Sequence, residues 1–242
     1  MNSNNDNIAV VWGAGGIGTA LAKQINAGGR YRHVVLVSRR QVDSLSEGID
    51  CICADMLDEA SLEQAFKTIA ERGKIKLLVV ATGILHDGEI QPEKTIRHLT
   101  LEAFQKVVTV NAIGPALIAK HFAFCMPLKE RTVFAAISAR VGSISDNRLG
   151  GWYAYRASKA ALNMLIKTLS IEWQRRNPNA ICIGLHPGTV DTDLSGPFQS
   201  GVKPDKLFTT DHAAKRLLEV IELKTADESG NVFAFDGTKV PE

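Results

Sequence analysis

The chain has 242 residues, room for one large domain or at most two small ones with a substantial core. Its 45% hydrophobic and 22% charged content is that of an ordinary globular protein. The net charge of +2, with no basic run beyond a pair such as Arg39-Arg40, argues against nucleic acid or a membrane surface as a partner. No apolar run approaches the ~20 residues of a spanning helix, and the polar opening segment 1–7 has neither signal- nor transit-peptide character. Cys51, Cys53, Cys125 and Cys182 sit in apolar segments, and no second Cys or His pair stands at zinc-ligand spacing. Buried free thiols in a reducing cytoplasm, and no metal site, are expected.

In chain order, the apolar run 8–12 reads as a strand that stops at Gly13, with a helical pattern from Gly18 onward. Strands are expected at 34–37, 50–53 and 77–81, with a helix over 58–72 opened by an Asp58 cap. Thr100 caps a long helix running to about residue 125, and a strand follows over 132–137. A helix then carries Tyr155 to about residue 176, before a strand at 180–185, a helix at 211–223 and a last strand at 232–235. The strands are continuous apolar runs without polar alternation, and most are separated by helices. That pattern predicts a seven-stranded, mostly parallel sheet covered on both faces, the doubly wound (Rossmann) α/β fold, in a single domain spanning 1–242. In such a sheet, ligands bind beyond the carboxyl ends of the strands, and the chemically informative residues fall there.

After the first strand comes Gly13-Ala-Gly-Gly-Ile-Gly18, which fits G-x-G-x-x-G through Gly13, Gly15 and Gly18. Glycines permit a tight turn and close approach of the backbone to a pyrophosphate, whose charge the helix N-terminus stabilises. The same turn also occurs where a helix merely packs close, so its place between first strand and first helix carries the argument. A carboxylate ending the second strand would accept the ribose 2′-hydroxyl of NAD. Here that region is Ser38-Arg39-Arg40, with no acid; guanidinium groups suit a 2′-phosphate, and NADP(H) is the expected cofactor.

Tyr155 and Lys159 are four apart in an Ala-, Leu- and Met-rich stretch without a breaker, so both side chains share one helix face. A phenol with a pKa near ~10 is a poor acid at neutral pH. An ammonium one turn away is expected to lower that pKa toward the working range. Without a nucleotide site, the pair would read as packing and a solvated charge.

With these motifs in order, the chain resembles the short-chain dehydrogenase/reductase family, and within it the carbonyl reductases of the sniffer and C-signal-factor type, from Val10 to Gly237. The resemblance implies hydride transfer from a nicotinamide to a small carbonyl compound (aldehyde, ketone or quinone), with Tyr155 as proton donor. It implies that Lys159 holds the ribose and that Asn111 holds a relay water. Cofactor contacts are implied for Gly13, Gly15, Gly16, Ile17 and Gly18, for Ser38, Arg39 and Arg40, and for Asp55 and Met56. The same holds for Ala81, Thr82 and Gly83, for Tyr155 and Lys159, and for Pro187, Gly188, Val190 and Thr192. A homo-oligomer is implied too, paired through the two long helices with Phe122, Met164 and Trp173 partly at the interface.

Three departures stand out. The glycine loop is one residue short, so that counting back puts Trp12 at the family's first glycine. The family's Asn-Asn-Ala-Gly is Val80-Ala81-Thr82-Gly83. The second serine of its Ser-Ser pair, the catalytic one, is Ala139. Ser143, following Gly142, can turn back toward Tyr155 in its place; Ser138 and a bound water are the alternatives. The stretch 194–207 reads as a substrate lid, and Trp152, Phe198 and Phe208 suggest an apolar pocket. The alternative function is an NADP(H)-binding redox sensor or signalling protein with little turnover, which Ala139 favours and the intact Tyr155, Lys159 and Asn111 oppose.

Overall fold

The computed structural model describes residues 6–42 and 45–242. Residues 1–5 of the polar opening segment lie outside the described residues. Asp6 and Asn7 belong to the fold: Asn7 begins β1 (Asn7–Trp12), and the Asp6 carbonyl accepts from the Lys74 N–H at 2.8 Å.

β1 continues as α1 (Gly16–Ala27), β2 (His33–Ser38), β3 (Ile49–Cys53), α2 (Glu59–Ala70) and β4 (Lys74–Val80). There follow α3 (Leu101–Val108), α4 (Gly114–Phe122), β5 (Thr132–Ile137), α5 (Tyr153–Gln174) and β6 (Ala180–His186). The chain closes with β7 (Thr189–Val190), β8 (Leu207–Phe208), α6 (Thr210–Leu223) and β9 (Val232–Ala234). The large sheet has the order β3-β2-β1-β4-β5-β6-β9, with every neighbour parallel. The chain winds outward from β1 to β3 and then returns across β1 to β4. The loops after β1 and β4 therefore diverge at a switch point, which opens a crevice at the carboxyl edge.

Each face of the sheet is covered, as the unbroken apolar strands require. Val10, Val35, Leu78 and Phe134 pack under α2, α4 and α5, while Val11, Leu36, Val79 and Ile183 pack under α1 and α6. Caps fall where the sequence places them. The Asp58 carboxylate accepts from the Ala60 and Ser61 N–H groups at 3.0 and 3.3 Å, and the Thr100 hydroxyl accepts from the Ala103 N–H at 3.2 Å.

Three expectations need correction, and one element is new. The long helix expected to begin at Thr100 is interrupted by a π turn over Thr109–Ile113, in which the Gly114 N–H reaches back five residues to the Thr109 carbonyl. Pro115, at the start of α4, has no N–H to offer the Asn111 carbonyl four residues earlier, which favours the wider turn. Trp173 and Phe122 are not surface residues: both lie in the core, Phe122 edge-on to Trp12 at 5.6 Å, and of the three named only Met164 is exposed. The cysteines are free, but only Cys182 is buried. Cys53 is exposed because β3 is an edge strand, and Cys125 because it lies in the terminal turn beyond α4. The two-stranded sheet β7-β8 was not anticipated, each strand being only two residues long.

Candidate active site

A cavity of about 630 Å³ lies along the carboxyl edge of the sheet. It gathers Gly15, Gly16 and Ile17 from the loop after β1, Ala81, Thr82 and Gly83 after β4, Tyr155 and Lys159 from α5, and Pro187, Gly188, Val190 and Thr192 after β6. Gly13 and Gly18 lie behind this lining. Gly13 has φ +111°, and a Cβ on Gly18 would stand 1.8 Å from the Gly13 carbonyl oxygen. These two glycines make the tight turn, while Gly15 and the first turn of α1 face the crevice. Trp12 is a buried β1 residue, so the turn starts at Gly13, as expected for a shortened loop.

A dinucleotide fits this end on its own chemistry. Nothing lies within 4 Å of where a Gly15 Cβ would stand, and no acid occupies the first turn of α1. The orphan N–H groups of that turn would hold a pyrophosphate. Ser38, Arg39, Arg40 and Asp55 lie outside the cavity, at the ends of β2 and β3. Both arginines are exposed, and neither has an ion-pair partner among the described residues. The Asp55 carboxylate accepts from the Leu57 N–H at 2.9 Å, which shapes its turn. Met56 is buried: its thioether accepts from the hydroxyl of Thr82, a cavity-lining residue, at 3.5 Å and lies beside Gly114.

At the other end, burial governs the Tyr155–Lys159 pair. The expected lowering of the phenol by the ammonium is not found: burial pushes Tyr155 up to about 12 and Lys159 down to about 8. The Lys159 Nζ donates to the Ile137 carbonyl at 2.8 Å and sits 5.7 Å from the centre of the Tyr155 ring. The phenol is therefore proton-loaded at neutral pH, and its hydroxyl has no hydrogen-bond partner among the described residues.

Asn111 is fully buried, with its side chain wholly committed. Its Oδ1 accepts from the Ile84 N–H at 2.8 Å, and its Nδ2 donates to the Ile84 carbonyl at 2.8 Å and the Ser158 hydroxyl at 3.0 Å. It thus ties the loop after β4 to α5, and only its main chain is left to contact a water. Gly83 sits between Asn111 and Lys159; a Cβ there would lie 3.3 Å from Oδ1 and 3.5 Å from Nζ.

Neither serine replaces the hydroxyl missing at Ala139. The Ser138 hydroxyl donates to Asn163 Oδ1 at 2.6 Å. Ser143 does not turn toward Tyr155: its hydroxyl donates to the Glu242 carbonyl at 3.3 Å and accepts from the Asp146 N–H at 3.1 Å. Ala139 itself packs into the apolar cluster around Tyr155. Trp152 and Phe198 wall the cavity with ring centroids 5.3 Å apart, whereas Phe208 packs against Phe235 outside it. The stretch 191–206 is closed at its base by the β7-β8 pair, and its Leu194 and Phe198 cover Tyr155.

Two residues at the site carry no motif. Glu93, 4% exposed, accepts from the Ala154 N–H at 3.2 Å through its carboxylate and from the Trp152 N–H at 2.6 Å through its carbonyl. It clamps the start of α5 from the segment between the strand predicted to end at 81 and the helix predicted from Thr100, where nothing in the sequence sets it apart from Asp87 and Glu89. His186, the last residue of β6, lines the cavity beside Pro187.

The family model for short chain dehydrogenases matches residues 7–203. The chain belongs to the short-chain dehydrogenase family. C-signal of Myxococcus xanthus is 35% identical over 138 residues, covering 56% of this chain and 76% of that protein. The NADPH-bound carbonyl reductase from chicken fatty liver superposes with a TM-score of 0.83 at 24% identity, covering 100% of this chain and 96% of that one. Carbonyl reductase Sniffer of D. melanogaster superposes at 0.82 and 22% identity, covering 98% and 99%. This short-chain dehydrogenase is thus an oxidoreductase by family, on the fold the unbroken apolar strands predicted.

Proposed function

We propose that this chain is an NADP(H)-dependent reductase of small carbonyl compounds, with Tyr155 as the acid. The observation that carries the reading is a buried, proton-loaded phenol with an unpartnered hydroxyl, facing a largely apolar cavity that runs on to the glycine turn. When bound, NADPH would supply the hydride to the carbonyl carbon. Gly15, Gly16 and Ile17 would hold its pyrophosphate, and Arg39 and Arg40 a 2′-phosphate, two cations where NAD would call for an acid. Asp55, Ala81, Thr82 and Gly83 would flank the adenosine half, and Pro187, Gly188, Val190 and Thr192 the nicotinamide.

The residues of this chain do the proton work. Tyr155 donates its proton to the developing alkoxide, an oxygen more basic than the phenolate even with the phenol held at about 12. Lys159, at about 8, is mostly the cation at neutral pH and would stabilise the resulting phenolate. The proton would be restored through Lys159 and a water at the Asn111 main chain, since the Asn111 side chain is occupied. Trp152, Phe198 and Leu194 exclude water and favour an apolar substituent on the carbonyl.

The reading extends to setting and assembly. Four unpaired cysteines fit a reducing compartment, the cytoplasm, and no described helix is long and apolar enough to cross a membrane. One sheet serves cofactor and substrate within a single domain. A second apolar hollow, between α4 and α5 and lined by Ala116, Leu162, Leu165 and Leu169, suits self-association along those helices. The redox-sensor alternative is favoured by Ala139 alone.

The test is NADPH oxidation followed optically across aldehydes, quinones and diketones. Turnover is expected on at least one class, and Tyr155→Phe should abolish it while leaving NADPH affinity intact. NADPH binding with no turnover on any class would favour the sensor; undiminished turnover in Tyr155→Phe would remove Tyr155 as the acid.

A further inference from the structure

Reduction of a carbonyl places negative charge on its oxygen, and a second hydrogen-bond donor beside the acid stabilises that charge. Position 139 supplies only a methyl group. Ser138 and Ser143 spend their hydroxyls on Asn163 and Glu242. Neither serine is therefore free to partner Tyr155.

One polar group is unaccounted for. Among the described residues, the Nδ1 of His186 is the one buried side-chain nitrogen or oxygen without a hydrogen bond. A buried polar atom left unpaired is destabilising, and such exceptions call for an explanation. The ring belongs to the last residue of β6, beside the strand that delivers Ser138, whose N–H donates to the Leu185 carbonyl at 2.8 Å. It lines the same cavity as Ala139, Trp152 and Tyr155, immediately before Pro187. Burial, aided by the nearby Arg140 cation and opposed by Asp236, holds the imidazole at about 4, so it is neutral at physiological pH. With Nδ1 closed off, the one N–H of the neutral imidazole reaches the cavity only from Nε2, and it can donate to an oxyanion without itself releasing the proton. Arg140, the cation beside His186, is engaged with Asp146 at 2.6 Å.

We infer that His186 is a catalytic residue that donates the second hydrogen bond to the substrate carbonyl oxygen, in the role left open at Ala139. The inference rests on the reductase reading above. Tyr155 transfers its proton to the oxygen; His186 keeps its own and only stabilises the charge, so the proton count of the reaction is unchanged.

The experiment is a double-mutant cycle between positions 186 and 139, with 4-nitrobenzaldehyde as probe and NADPH affinity measured by fluorescence. His186→Phe keeps the ring volume and removes the donor, and should lower kcat by about 10²-fold with KM little changed. His186→Gln keeps an N–H donor and should retain more activity than His186→Phe. Ala139→Ser should restore most of the loss in the His186→Phe background and give little gain in the unmodified protein. Unchanged NADPH affinity in every variant shows that the fold is intact. If Ala139→Ser has the same effect in both backgrounds, or if His186→Phe raises KM alone, His186 is not the oxyanion donor. If the unmodified protein reduces neither this probe nor any other carbonyl tested, the reductase reading falls and this assignment with it, a pattern distinct from an active enzyme whose variants are additive.

Discussion

Truncating Glu93 tests whether the position of the acid depends on a remote clamp. α5 begins at Tyr153 after Trp152, which is left-handed at φ 53° and offers no side-chain cap. The first N–H groups of the helix therefore need an acceptor from elsewhere, and the Glu93 carboxylate, 3.2 Å from the Ala154 nitrogen, supplies one. Glu93→Ala leaves a buried N–H unsatisfied, at about 1–3 kcal/mol, and removes a negative charge at a helix N-terminus worth about 0.3–2 kcal/mol. A total loss of about 1.3–5 kcal/mol is expected. Glu93→Gln retains the acceptor and loses only the charge, so about 0.3–2 kcal/mol. Urea unfolding with fixed m-values measures both. Tyr155 sits one residue beyond the clamped N–H, and a ring displaced by ~1 Å can cost up to ~10²-fold in rate. In folded Glu93→Ala, kcat should therefore fall well below that of Glu93→Gln. If both variants unfold within about 0.5 kcal/mol of the parent and turn over equally, the clamp does not position the acid.

Other tests follow from the same geometry. Arg39→Asp should reverse or abolish a preference for NADPH over NADH; equal affinity for the two cofactors in the unmodified protein would remove the arginines from the argument. His186 is held at about 4 in the fold against 6.5 ordinarily, so the unfolded chain takes up the proton first as pH falls. Its contribution to stability is complete above pH 6.5 and is lost on descending to about 4, a change of about 3 kcal/mol. The stability of His186→Gln should fall less over that window, and parallel profiles would show that the ring is not buried neutral. Self-association through α4 and α5 predicts a dimer or larger species by light scattering at micromolar concentration. Leu165→Glu, at a position 37% exposed, should shift it to monomer; a monomeric parent would refute the interface.

Local chemistry made much of this protein legible from its sequence. Continuous β-branched runs can only be buried on both faces, so they announce a parallel sheet before any contact is known. Asp58 and Thr100 cap by bonds reaching only two or three residues. Gly13 and Gly18 are demanded by a turn within six residues, and Tyr155 and Lys159 share a face because a helix turn is short. What tertiary structure decided is whatever depends on neighbours far along the chain. The Asn111 side chain is spent on Ile84 and Ser158, Ser143 on Glu242, Ser138 on Asn163, and the start of α5 on Glu93. The protonation of the site belongs to that second class. Spacing brings the ammonium near the phenol, but only packing sets how much water is removed from each, and here desolvation outweighs the attraction and drives the two pKa values to about 12 and 8.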